Sequence, residues 1–159
     1  MDNKAYQKMD YALCLLSAAA DGKRHGCIVN SFHQVTSSFP PKFTVAVNKD
    51  HETCKAIQAA GASPLPCWVR TRGGDHRPVR LQVRPGGGQF EGFDVQTDEA
   101  GNPYVKDHAL ARISCKIVEK LDLGTYMLYI GEATEAETLG EGPALTVDDF
   151  KNGGGSTPP

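Results

Sequence analysis

A chain of 159 residues, 40% of them apolar, is long enough for one domain with its own core. A formal charge of −2 argues against a dedicated binder of nucleic acid or of a membrane surface. No stretch of about 18 apolar residues occurs, so no transmembrane helix is expected, and the opening MDNKAYQKMD lacks a signal-peptide core, which points to the cytoplasm.

In chain order, DNKAYQKM (2–9) predicts a short helix capped by Asp2 or Asn3. YALCLLSAAA (11–20) predicts an apolar strand, DGKR (21–24) a hairpin turn, and GCIVNSFHQVTS (26–37) the partner strand. The two prolines after SF turn the chain, because they remove donors and fix φ. KFTVAVNKD (42–50) predicts a third strand with Phe43, Val45 and Val47 on one face. HETCKAIQAAGA (51–62) reads as a helix: Cys54, Ile57 and Ala60 or Gly61 recur at helical spacing, with Asp50 as N-cap. DEAGNPYV (98–105) and LGEGPAL (139–145) predict loops, and 109–139 predicts a long antiparallel hairpin turning at LDLGT. Residues 1–150 thus form the domain, and 151–159 a flexible tail. Antiparallel strands with a few short helices predict a mainly β barrel of the α+β kind.

The five cysteines, at 14, 27, 54, 67 and 115, make no CxxC pair, and their odd number suits a reducing compartment. Cys14, Cys27 and Cys115 lie inside apolar strand patterns and read as small buried hydrophobes. His25, His33, His76 and His108 lack paired ligand spacing, so no metal site is expected.

Residues 62–89 differ from their surroundings. They hold Arg70, Arg72, Arg77, Arg80 and Arg84, the single Trp68 and one acidic residue, Asp75, with no helical or alternating pattern. A basic loop contacting phosphates, a long irregular loop, and an out-of-frame reading of GC-rich codons are the three readings. Back-translated and shifted by one base, VRLQVRPGGGQ reads FGFKSGREVD, and SPLPCWV can arise from FAVAVLG, an ordinary strand.

The polar residues at the ends of the two strands spanning 26–50 are the candidate site. Asn48, Lys49 and the helix opening at His51 make a strand–turn–helix anion site: free N–H groups and a positive dipole end, with the Lys49 charge and the Thr53 hydroxyl added. The plainer reading of Lys49 is a solvated residue after a strand. Gln34, Val35, Thr36 and Ser37 close the adjacent strand, where backbone groups could pair with the edge of a heteroaromatic ring. The plainer reading is that Thr36 and Ser37 open the turn before Pro40. Taken together, the clusters describe a flat ring at one strand end and a phosphate at the next, the shape of flavin mononucleotide (FMN).

GCIVNSFHQVTS, PPKFTVAVNKDHET, FEGFDVQTDEAGNPYV and LDLGTYMLYIGEA resemble the flavin reductase-like proteins of the FMN-binding split-barrel fold. The nearest branch is that of flavoredoxins and the flavin domains of high-molecular-weight rubredoxins. The resemblance covers 1–61 and 90–150. Family members carry FGFxSGRDxDKFEGF where this chain has VRLQVRPGGGQFEGF, and the shifted reading runs straight into Phe90, which favours a frame error across 62–89.

The resemblance implies a split β-barrel with short helices that binds FMN noncovalently, FAD being the other candidate, in a homodimer with the flavin near the subunit interface. By position, Gln34, Val35, Thr36 and Ser37 would hold the isoalloxazine edge, and Asn48, Lys49, His51 and Thr53 the ribityl phosphate. No residue is expected to act as nucleophile or general base. Electrons would pass from NAD(P)H through the flavin to free flavin, ferric iron or a small redox protein such as a rubredoxin. The alternatives are an electron-transfer flavoprotein without its own NAD(P)H activity and a non-flavin structural or nucleic-acid-binding protein. The chain departs from many relatives in carrying Tyr126 where they have the His of GTHTLFIGE, and in stopping at GGGSTPP where they often continue.

Overall fold

The computed structural model describes residues 2, 4–60, 67–70, 90, 94–106 and 109–151. After a 3-10 turn at Tyr6–Lys8, strands β1 (Cys14–Ala20) and β2 (Lys23–Val29) form a hairpin. Asp21 and Gly22, at φ 51° and 70°, make the two-residue turn that Asp-Gly favours, because both central positions need positive φ. β3 (His33–Gln34) and β4 (Lys42–Asn48) follow, then helix α1 (Glu52–Ala59) and β5 (Cys67–Arg70). β6 (Val95–Thr97) and β7 (Pro103–Val105) pair apart, as a two-stranded sheet. β8 (Ala109–Asp122), β9 (Tyr126–Thr138) and helix α2 (Val147–Lys151) complete the described elements.

Seven strands form one antiparallel sheet in the order β2-β1-β5-β8-β9-β4-β3. Its first and last strands are joined by residues 30–32 alone, so the sheet must curl until its edges meet. Ser31 stitches that seam: its hydroxyl donates to the Ala46 carbonyl at 2.9 Å and accepts the Ala46 N–H at 3.1 Å. Across this seam, the Ser31 side chain bridges to the Ala46 backbone of β4.

Both faces of β1 are covered, which explains its nearly continuous apolar run, broken only by Ser17, whose buried hydroxyl donates to the Pro103 carbonyl. Leu16 and Ala18 join Val45, Val47, Cys115 and Tyr129 in the barrel interior, which Cys54, Ala56 and Ile57 of α1 close. Leu15 points the other way, into a second cluster with Phe90, Tyr104, Val105 and Ala109. Full burial of a Leu side chain is worth about 1.5–3 kcal/mol, so this strand anchors both clusters.

Several expectations are corrected. Residues 26–37 are not one strand: β2 stops at Val29, because Asn30 and Ser31 turn the chain across the seam, and only His33–Gln34 re-enter the sheet. α1 is capped by His51, not Asp50: the Asn48 side-chain oxygen accepts the Asp50 N–H at 2.9 Å, and this local turn delays the helix by one residue. Ala60 is exposed, and Ala56 takes the buried position beside Cys54 and Ile57. The stretch 98–105 is a hairpin turn leading into β7; the Asp98 carboxylate accepts the N–H groups of Ala100 and Asn102, and Pro103 sits on a small sheet where a missing donor is tolerated. Among the described residues of 2–9, helical turn is confined to Tyr6–Lys8.

Within 62–89, Cys67–Arg70 form β5, a central strand between β1 and β8. Cys, Trp and Val suit a strand, and pairing on both sides overrides the lack of pattern. The remainder of 62–89 and the tail 152–159 lie outside the described residues. Among the described residues no helix is long and apolar enough to cross a membrane.

Candidate functional site

β4 organises the site, because each candidate cluster sits at one of its ends. β3 runs antiparallel to β4, with Gln34 opposite Phe43, so Gln34–Ser37 lie at the start of β4 while Asn48–Thr53 lie at its finish. The sequence alone suggests neighbouring strand tips for the two clusters. They are instead separated by the length of β4, about 20 Å at strand rise. That distance is comparable with an extended flavin mononucleotide.

At the start of β4, the N–H groups of Val35 and Thr36 both point to the Lys42 carbonyl, at 2.8 and 3.4 Å. The Thr36 hydroxyl accepts the Lys42 N–H at 2.9 Å, and the Gln34 amide donates to the Thr36 carbonyl at 2.9 Å. These bonds hold 34–36 as a rigid polar edge. Gln34, Val35 and Ser37 are exposed and Thr36 half-buried. Phe32 and Phe43 stack beneath, with ring centroids 5.0 Å apart and planes 8° from parallel, and this pair stiffens the edge.

A pocket of about 160 Å³ opens at the finish of β4. Ser31, Asn48, His51 and Tyr126 supply its polar groups, and Ile28 and Val47 its apolar wall. Drug-sized ligands occupy pockets of about 300–1,000 Å³, so this volume suits one end of an elongated molecule. Asn48 and Tyr126 face each other in the β4–β9 ladder. The His51 N–H donates to the Asn48 carbonyl at 3.1 Å, which swings the chain from strand into helix and brings the first turn of α1 to the pocket. His51 offers α1 no side-chain cap, and the Cys54 N–H turns back to the His51 carbonyl at 2.9 Å, so the N–H groups of Glu52 and Thr53 are those left for another acceptor.

Lys49 is half-buried, and its ammonium lies 2.5 Å from the Asp122 carboxylate at the tip of the β8–β9 hairpin. Its N–H donates to the Thr125 carbonyl at 3.0 Å. Lys49 and the Gly124 N–H hold the Asp122 carboxyl below the usual carboxylate range. Thr53 is buried at 1% exposure, where its hydroxyl meets the Cys27 thiol, so only its backbone is presented to the helix opening. The structure therefore gathers Asn48 and His51 on the pocket lining, leaves Lys49 and Thr53 off it, and sets Gln34–Ser37 a strand's length away.

Sequence reasoning missed Asn30 and Ser31, which line the pocket. The signal was present: a polar Asn-Ser pair interrupts the apolar run between Val29 and Phe32.

The chain belongs to the flavin reductase like domain family, whose model matches residues 6–150. It is 31% identical over 157 residues to the ferric-chelate reductase (NAD(P)H) of Archaeoglobus fulgidus, covering 94% of this chain and 89% of that protein. It is 30% identical over 152 residues to the high molecular weight rubredoxin of Moorella thermoacetica, covering 92% of this chain and 64% of the relative. Among solved structures, the NADH:FAD oxidoreductase of Streptomyces globisporus shares the fold, with a TM-score of 0.76 at 21% identity over 89% of this chain and 83% of its own.

Proposed function

We propose that this chain is an oxidoreductase that binds FMN noncovalently along β4, takes electrons from NAD(P)H and passes them to free flavin, ferric iron or a redox protein. The carrying observation is the uncapped first turn of α1 opening onto the pocket of Asn48, His51 and Ser31, a strand's length from the Gln34–Ser37 edge. The residues fit such a ligand. The helix opening and Lys49 suit a phosphate. The 34–37 edge, stiffened by Phe32 and Phe43, suits a flat ring. FAD is the other flavin that this track could take.

When bound, the flavin supplies hydride acceptance and one-electron transfer. The protein's part is to bind and orient. Asn48, His51 and the Thr53 backbone would fix the phosphate, with Lys49 adding charge. Gln34, Val35, Thr36 and Ser37 would set the ring edge, and Tyr126 would form the pocket wall. No side chain is assigned a proton-transfer role.

Self-association into a homodimer is part of this reading. Val35 and Phe39 are 52% and 97% exposed beside the ring edge, and Leu121 and Leu123 are exposed on the hairpin tip. Apolar side chains so exposed suit burial against a second copy. A second reading, an electron carrier reduced by a partner, is favoured by the likeness to a rubredoxin-named relative. We further propose that residues 1–150 form one domain and that a frame error crosses 62–89, which sequencing the coding DNA across codons 62–89 tests; Lys151, read with the tail in the sequence, instead closes α2.

Lys49→Ala tests the phosphate end: FMN affinity should fall by about 1–3 kcal/mol, the scale of a charge-assisted contact. Unchanged FMN affinity would remove Lys49 from the site. Rapid bleaching of bound flavin by NAD(P)H separates the reductase from the electron carrier, which would bleach slowly with NAD(P)H but fast with dithionite.

A further inference from the structure

Lys49 is gripped twice by one hairpin turn. Its ammonium meets the Asp122 carboxylate, and its N–H bonds the Thr125 carbonyl. Asp122 is itself fixed, because the same oxygen accepts the Gly124 N–H at 2.8 Å. The turn then continues into Tyr126, a wall of the pocket, whose carbonyl accepts the Leu123 N–H at 2.9 Å. The cation flanking the α1 opening is thus already paired, and an anion sits beside the place where a phosphate would arrive.

We propose that Asp122 determines how strongly the site distinguishes phosphorylated from unphosphorylated flavins. The proposal rests on the flavin reading above and deepens it. A dianionic phosphate must share the Lys49 ammonium with the Asp122 carboxylate or displace it, and tolerate that charge nearby, whereas a flavin lacking phosphate meets neither cost. The Asp122 side chain is 64% exposed and that of Lys49 32%, so the pair is screened and opens readily. Asp122 therefore lowers the phosphate preference without abolishing it, and the site retains affinity for riboflavin.

The test is fluorescence titration of the full chain with FMN and with riboflavin, for wild type, Asp122→Asn, Lys49→Ala and the double variant. Asn keeps an oxygen for the Gly124 N–H, so the turn is preserved; Asp122→Ser serves if that variant does not fold. Asp122→Asn should tighten FMN by about three- to five-fold, the equivalent of removing one exposed ion pair. Its riboflavin affinity should not move, and its FMN affinity should fall more steeply with salt. Adding Lys49→Ala should erase the gain. An FMN-to-riboflavin ratio unchanged or lowered in Asp122→Asn overturns the proposal while leaving the flavin reading intact. A folded wild-type chain that takes up neither flavin overturns both.

Discussion

Cys54 Sγ lies 3.4 Å from the Tyr129 hydroxyl, deep in the barrel, and joins helix α1 to strand β9. The two residues are 0% and 1% exposed. One end of α1 opens at the pocket and the same β9 strand begins at Tyr126, so this contact sets the spacing between two walls of the candidate site. The Gln58 amide reaches the same sulfur at 3.6 Å from the next turn of the helix.

Tyr129→Phe keeps the ring and removes the hydroxyl. Stability should fall by about 0.5–1.5 kcal/mol, the net worth of one such bond, read as a lower urea midpoint at unchanged slope. No change in the midpoint would mean that α1 is held by packing alone.

Stability should decline at alkaline pH. Burial pushes the Cys27 thiol from 9.0 up to about 11, with Cys54 nearby adding to the rise and Thr53 opposing it. Burial pushes Cys115 from 9.0 up to about 12, and burial together with Cys54 also raises Tyr129. Between pH 9 and pH 11 the unfolded chain releases these thiol protons while the folded chain keeps them. The stability they contribute is therefore whole below pH 9 and is lost as pH rises through the folded values, at about 1.4 kcal/mol per pH unit per thiol. Urea unfolding across that window should show the decline, and Cys115→Ala should flatten it. A flat profile in the wild type would contradict the burial of both thiols.

Arg112 is 9% exposed, bonded to Glu135 at 2.7 Å and Glu137 at 3.3 Å, and rests over the Tyr104 ring at 4.8 Å. Burial opposes its charge, but the two carboxylates outweigh that, and its pKa is raised. Arg112→Ala should cost about 2–4 kcal/mol by stranding Glu135 beside the core, and pairing it with Glu135→Gln should recover part of the loss. A cost within about 0.5 kcal/mol, the scale of an ordinary surface change, would show that the cluster relaxes into water.

The strands of the barrel were legible because their signals are local. Asp21-Gly22 fixes one hairpin by turn chemistry, and the apolar runs flanking LDLGT fix the other. β5 was not legible, since its four residues are held by partners on both sides. The break at Asn30–Ser31 was marked by its polar pair, but its purpose was not legible, because Ser31 turns the chain toward Ala46, a partner remote in sequence. In the candidate site, chemistry was readable and placement was not. Lys49 and Thr53 are the residue types a phosphate needs, yet one ammonium is held by Asp122 and one hydroxyl faces Cys27, and neither partner is near in sequence.

The most direct measurement is the visible absorption spectrum of the purified, folded chain titrated with FMN. Saturable uptake at one flavin per chain, with bleaching of the bound flavin by NAD(P)H, is the predicted result. A strand-rich, cooperatively unfolding chain whose spectrum is that of free FMN throughout the titration would contradict a flavin seated along β4.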